Sequence, residues 1–135
     1  MKERVIALGF FDGVHLGHGA LLRRAAEEAA LRGCTPAVFT FDRPPKEVVT
    51  GVPCPLINSP EDRRDLVRRL YRIQDVLMVP FDREMMTTPW DDFIVRILVG
   101  RYHAVHLVAG HDHHFGHRNQ GTPELLAQKC AQLGL

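Results

Sequence analysis

Short apolar runs alternate with amphipathic stretches along the whole chain. VIALGF (5–10) is a continuous apolar run and predicts a buried strand. From His18 to Arg32, Leu21, Leu22, Ala25, Ala26, Ala29 and Ala30 recur at helical spacing, and Gly33 stands where a helix-ending glycine belongs. PAVFTF (36–41) predicts a second strand, VLMVPF (76–81) a third and AVHLVAG (104–110) a fourth. Between the second and third, Ser59-Pro60-Glu61-Asp62 reads as an N-cap, a proline at the first helical position and acids in the first turn. Leu66, Val67, Leu70 and Tyr71 are that helix's expected buried face. Thr88-Pro89-Trp90-Asp91 repeats the cap-then-proline device, and Phe93, Ile94, Ile97 and Leu98 form an apolar stripe ending at Gly100. Thr122-Pro123 opens a last helix, with Leu125, Leu126, Cys130 and Leu133 inward and Gly134 at its end.

Strands that alternate with helices of this length predict an α/β fold, with a parallel sheet and helices on both faces. The chain has 135 residues, which predicts one domain over 1–135. A chain of that size buries roughly two-thirds of the surface its unfolded form exposes. In such sheets ligands bind beyond the carboxyl ends of the strands. The unusual loops, 11–18, 42–55, 82–88 and 111–121, fall at such ends.

Composition narrows the function classes. Hydrophobic residues make up 45% and charged residues 24%, which excludes a disordered tail. A net charge of +1 indicates no general polyanion surface, so no nucleic-acid partner is expected. No run of 18 apolar residues occurs, so no membrane span is expected, and MKERVIALGF does not read as a secretory leader. Cys34, Cys54 and Cys130 are odd in number and form no C-x-x-C pair. That argues against a disulfide framework and fits a reducing cytoplasm.

The chemistry concentrates in Gly9-Phe10-Phe11-Asp12-Gly13-Val14-His15-Leu16-Gly17-His18, which ends the first strand and opens the first helix. Glycines there permit close backbone approach. The free N–H groups of a helix start favour an anion, and His15 and His18, three apart, could hydrogen-bond phosphate oxygens beside them. The segment is neither a P-loop nor a G-x-G-x-x-G dinucleotide fingerprint. The competing reading is a tight strand–helix turn with solvated histidines.

H-x-G-H after a first strand resembles the nucleotidyltransferase superfamily, and its fold would be Rossmann-like, of the HUP type. The longer string 9–18 resembles one branch: bacterial FAD synthetase, the FMN adenylyltransferase module usually fused to riboflavin kinase. FTFDRPPKEV (39–48), Asn58-Ser59-Pro60 with Arg63, VPFD (79–82), DDFIVRIL (91–98) and VAGHDHHFG through Gly121 match the branch in order. The resemblance implies a nucleotidyltransferase that moves AMP from ATP to FMN, giving FAD and pyrophosphate. It implies catalytic roles for His15 and His18, which would hold the ATP phosphates and the charge that develops as pyrophosphate leaves. Gly9, Phe10, Phe11, Asp12 and Gly17 would complete the nucleotide side. Mg²⁺ would bridge phosphate oxygens with few protein ligands. Asp12 is either a partner to that ion or a histidine, or a turn-forming aspartate.

The resemblance places Asp112, Phe115, Gly116, Asn119 and Thr122 on the flavin side. Phe115 has the alternative of plugging the core. The chain departs from the branch at His113 and His114, where an aromatic and an arginine are common, and at Asn119. His111, His113, His114 and His117 are dense enough to suggest zinc, but no thiol or H-E-x-x-H frame accompanies them, so no native metal site is assigned. Arg63, Arg64, Arg68, Arg69 and Arg72, interleaved with acids, read as a solvated face. The branch also carries a Ser-Ser-Thr-x-x-Arg signature near a fifth strand. The only serine here is Ser59, so the chain is expected to lack that strand and the riboflavin kinase module. It would be a short transferase, with a homo-oligomer or a completing chain left open. The alternatives are a nucleotide- or flavin-binding module that no longer catalyses, and an H-x-G-H transferase with another small acceptor.

Overall fold

The structure, a computed structural model, describes residues 2–9, 16–42, 60–110, 116 and 120–135. Its centre is a four-stranded sheet in the order β3-β2-β1-β4, made of β1 (Arg4–Leu8), β2 (Thr35–Phe41), β3 (Asp75–Val79) and β4 (Ala104–Ala109). Every pairing is parallel, as the strand–helix alternation predicts. The register sets Leu8 beside Phe39 on one side and beside Ala109 on the other. A slip between Arg4 and Val5 gives β4 one extra residue, so Arg4 pairs Ala104 and Val5 pairs His106.

The period-two alternation of the strands divides the core in two. Val5, Ala7 and Val38 point to one face, where Leu22, Ala25 and Ala29 of α1 (Leu16–Arg32) and Val67 of α2 (Pro60–Tyr71) cover them. Ile6, Leu8, Ala37 and Phe39 point to the other. There Met85 of α3 (Arg83–Thr87) packs with Phe93, Ile94, Ile97 and Leu98 of α4 (Trp90–Val99), and Leu126 of α5 (Pro123–Leu133) closes the layer. Helix α4 begins as an α-turn, Trp90–Asp92, and continues as a π-helix, Phe93–Val99. Phe39 is the hub of this side, meeting Phe41, Phe93 and Tyr102 edge-on at 5.5, 5.4 and 5.9 Å. Each fully buried aliphatic or aromatic side chain stabilises the fold by roughly 1.5–3 kcal/mol relative to exposure.

Helix ends follow the expected chemistry at α1 and α5. Gly33 takes φ +66°, and the N–H of Cys34 donates to Ala29 O at 2.9 Å. The Thr122 hydroxyl accepts from Leu125 N at 3.2 Å, Pro123 follows, and Gly134 ends the helix at φ +77°. The expected Ser59 cap lies outside the described residues.

Several expectations are corrected. Thr88 does not cap α4. Its hydroxyl donates to Glu84 O at 2.7 Å and closes α3, a helix in a stretch expected to be loop. Asp82 starts that helix by accepting from Met85 N at 2.9 Å. Gly100 does end α4, as the apolar stripe predicts, with right-handed backbone angles. Leu70 is 61% exposed and Leu133 41% exposed, so neither belongs to its helix's buried face. In α2 the inward stripe runs Arg63, Val67, Tyr71, four residues apart, with Leu66 beside it.

Candidate active site

The sheet order makes β1 the point where the chain reverses direction across the sheet. From β1 the chain moves to β2 and β3 on one side, and it returns to β4 on the other. The outgoing connections of β1 and β4 therefore leave neighbouring strands at the same level, because Leu8 and Ala109 are register partners. Adjacent strands lie about 4.8 Å apart. The β1 connection enters α1 on one face, and the β4 connection leads to α5 on the other. A crevice between two such connections is where open α/β sheets bind ligands.

On the β1 side, Gly9 extends the strand by donating its N–H to Phe39 O at 3.3 Å. Helix α1 starts at Leu16, two residues before the expected His18, so Gly17 and His18 stand in its first turn. The unpaired N–H groups of that turn point toward the carboxyl edge of the sheet. Phe10, Phe11, Asp12 and His15 lie outside the described residues. One residue beyond His18, Gly19 is buried against α2, and a Cβ there would lie 2.6 Å from the Tyr71 hydroxyl oxygen. The Tyr71 hydroxyl thus abuts the first turn of α1, and Arg23 lies over its ring, 5.7 Å from the centroid.

On the β4 side, Gly116 is left-handed at φ +77° and packs on Trp90 at the start of α4. Thr122 uses its hydroxyl oxygen as the cap of α5. Asp112, Phe115 and Asn119, with His111, His113, His114 and His117, lie outside the described residues. Among the described residues, no group of three or more His, Cys, Asp or Glu could hold a metal ion.

The carboxyl end of β2 is closed by a residue that was expected to be solvated. Arg63 is 1% exposed. It donates to Thr40 Oγ1 at 3.1 Å and to the carbonyl oxygens of Phe41 and Asp42 at 3.0 and 3.4 Å. Asp42 then ties β2 to the end of β3, donating its N–H to Val79 O at 3.1 Å and accepting from Phe81 N at 3.2 Å. The available signal was Arg63's place one helical repeat before Val67, on the apolar stripe. A cavity of about 240 Å³ lined by Glu84, Thr87, Thr88, Pro89, Arg96, Ile97 and Arg101 contains none of the catalytic, nucleotide-side or flavin-side candidates.

A doubly covered parallel sheet whose order reverses at β1, with the connections of β1 and β4 leaving adjacent strands, defines a Rossmann-like α/β domain. The chain belongs to the FAD synthetase family, whose profile matches residues 1–135. It is 33% identical over 128 residues to the bifunctional riboflavin kinase/FMN adenylyltransferase of Listeria monocytogenes, covering 93% of this chain and 40% of that protein. The Bacillus subtilis protein of the same description is 34% identical over 122 residues, covering 89% and 38%. The Escherichia coli K12 protein is 33% identical over 132 residues, covering 96% and 42%. The chain thus spans about two-fifths of the length of the relatives it matches. A solved structure described as a macrolide-efflux protein from Streptococcus pneumoniae superposes with a TM-score of 0.81 at 26% identity, over 95% of this chain and 42% of that one. No helix among the described residues is long and apolar enough to cross a membrane.

Proposed function

We propose that this chain transfers AMP from ATP to the phosphate of FMN, giving FAD and pyrophosphate. The observation that carries the reading is the pairing of Leu8 with Ala109. It brings the histidine-bearing connection and the F-G-bearing connection out of adjacent strands, so two nucleotides would meet at one crevice. Membership of the FAD synthetase family supplies the substrates by analogy.

The reaction forms one P–O bond and breaks one. An FMN phosphate oxygen attacks the α-phosphorus of ATP, and pyrophosphate leaves with the bonding electron pair. The acceptor is already an anion near neutral pH, so the chain need not supply a strong base. Its work is positioning and charge stabilisation. His15 and His18 hold the triphosphate and the charge on departing pyrophosphate, with the N–H groups of the first turn of α1. Gly9, Phe10, Phe11 and Gly17 border the nucleotide. Asp112, Phe115, Gly116, Asn119 and Thr122 form the flavin side. Mg²⁺ would neutralise phosphate charge, held by phosphate oxygens and water, with Asp12 as the chain's candidate contribution. The substrates are small molecules, and the cysteine usage fits a reducing cytoplasm.

Incubation with ATP, FMN and Mg²⁺, followed by chromatography, should yield FAD. His18→Ala should lower that yield by roughly a hundredfold or more. No FAD from the unaltered chain, with ATP binding still seen by calorimetry, leaves a binding module in place of the enzyme. Unchanged turnover in His18→Ala removes His18 from its role.

A further inference from the structure

Gly116 meets a constraint that its backbone angle alone does not explain. A Cβ placed there would lie 2.6 Å from Trp90 Cα and 2.8 Å from both Trp90 N and Trp90 Cβ. A left-handed φ of +77° disfavours most side chains, yet asparagine tolerates it. The close approach excludes every side chain, because the opposing atoms are mostly main chain and cannot swing aside. Nor can Trp90 readily retreat. It packs on the core cluster that contains Phe93 and Phe39, and the turn behind it is held by Phe93 N donating to Pro89 O at 2.9 Å.

Gly33 supplies the contrast. It is also left-handed, at φ +66°, but a Cβ there would meet nothing within 4 Å. Gly33 serves a helix end, whereas Gly116 serves a contact between two elements. That contact ties the connection leaving β4 to the first turn of α4, which is built into the core beneath Phe39.

We infer that Gly116 and Trp90 form a seat that positions the β4–α5 connection for the acceptor nucleotide, and that glycine stands at 116 to make this seat. The inference rests on the FMN reading above and assigns both residues a positioning role. The seat belongs to the β4 connection alone, while the phosphates of ATP are assigned to the β1 connection. Its loss should therefore separate the two substrates.

The test compares Gly116→Ala, Gly116→Asn and Gly33→Ala in the 135-residue chain. Dissociation constants for FMN and for ATP with Mg²⁺ are read by calorimetry, KM values from FAD formation, and folding from thermal midpoints. Both Gly116 variants should weaken FMN binding and raise its KM by roughly tenfold or more, because small misplacements at a reacting centre are costly. ATP constants should stay within about twofold, since the β1 connection is untouched. Gly33→Ala should lower the midpoint and leave FMN binding unchanged. FMN binding restored in Gly116→Asn would make φ the cause and overturn the seat. Equal losses for FMN and ATP would do the same.

A second readout needs no ligand. Tryptic cleavage after Arg118, followed by mass spectrometry, should accelerate in both Gly116 variants and not in Gly33→Ala. If the unaltered chain binds no FMN, the functional reading fails while this cleavage still tests the seat. An unchanged cleavage rate overturns the seat, even where FMN binds.

Discussion

The guanidinium of Arg63 reaches from the first turns of α2 to the end of β2, bonding Thr40, Phe41 and Asp42 across 21–23 residues of sequence. Those carbonyls end a buried strand and would otherwise need solvent. Hydrogen bonds from a charged donor contribute about 1.5–3 kcal/mol each, and buried acceptors left open cost more. Arg63→Ala should therefore lower stability in urea by about 3 kcal/mol. Arg63→Lys should recover part of that, because one ammonium cannot fork between a hydroxyl and two carbonyls. A loss under half a kcal/mol in Arg63→Ala would mean that the end of β2 is closed by other groups. The same residue marks a limit of sequence reading. Its neighbours Arg68, Arg69 and Arg72 are exposed as their charge implies, and nothing local separates Arg63 from them except its stripe position. His15 and His18 stand out in the sequence itself, because their signal is a spacing of three residues. Trp90 and Gly116 were legible as a tryptophan and a motif glycine, but not as partners, because only the fold brings positions 26 apart into contact.

Strand ends opposite the candidate site carry their own ion network. Arg4, at the start of β1, donates to Asp75 Oδ2 at 3.1 Å and to Tyr102 O at 2.9 Å, and Lys2 joins Asp75 at 3.1 Å. Burial works to raise the Asp75 pKa, but the hydrogen bonds and charges of Arg4 and Lys2 outweigh it and hold the carboxyl below its ordinary 3.8. A depressed folded pKa stabilises the native state above the ordinary value, and that stability is lost as pH falls through the folded value. On β4, burial and then the charge of Arg32 push His106 below its ordinary 6.5, with Glu28 opposing and Arg24 assisting. The sign is the same: the neutral imidazole is preferred, so stability is complete above 6.5 and falls as pH drops through the depressed value. Thermal midpoints measured from pH 7 to pH 3 should fall in two stages. His106→Gln should flatten the upper stage and Asp75→Asn the lower; a stage that survives its own substitution belongs to another group. At this scale the sequence was largely readable. Each predicted strand appears within a few residues of its expected bounds, because a run such as VIALGF has no other way to bury both faces. The π-helical turn of α4 was not readable, since Phe93, Ile94, Ile97 and Leu98 satisfy either winding over so short a stretch. Helix α3 escaped notice because Asp82 caps only five residues.

Across the molecule, protection from solvent falls from the centre of the sheet outward. Val5, Ile6 and Ala7 of β1 and Ala37 and Val38 of β2 are fully buried, and Phe39 nearly so, while β3 and β4 are half-buried along most of their length. Regions with fewer buried contacts open at lower free energy than the whole fold. Amide exchange from Ile6–Leu8 and from Ala37–Phe39 should therefore require global unfolding and follow its dependence on urea. Amides of β4 should exchange through smaller openings that depend little on urea. This gradient crosses the candidate site, because the histidine-bearing connection leaves β1 and the acceptor connection leaves β4. A ligand protects only the amides whose opening releases it. FMN at a hundred times its dissociation constant should therefore slow β4 exchange by up to about 2.7 kcal/mol in the local opening equilibrium. ATP should protect mainly the first turn of α1. Equal protection of β4 and α1 by either nucleotide alone would mean that the two connections open as one unit. The separation of donor and acceptor sides across the β1–β4 pair would then be wrong.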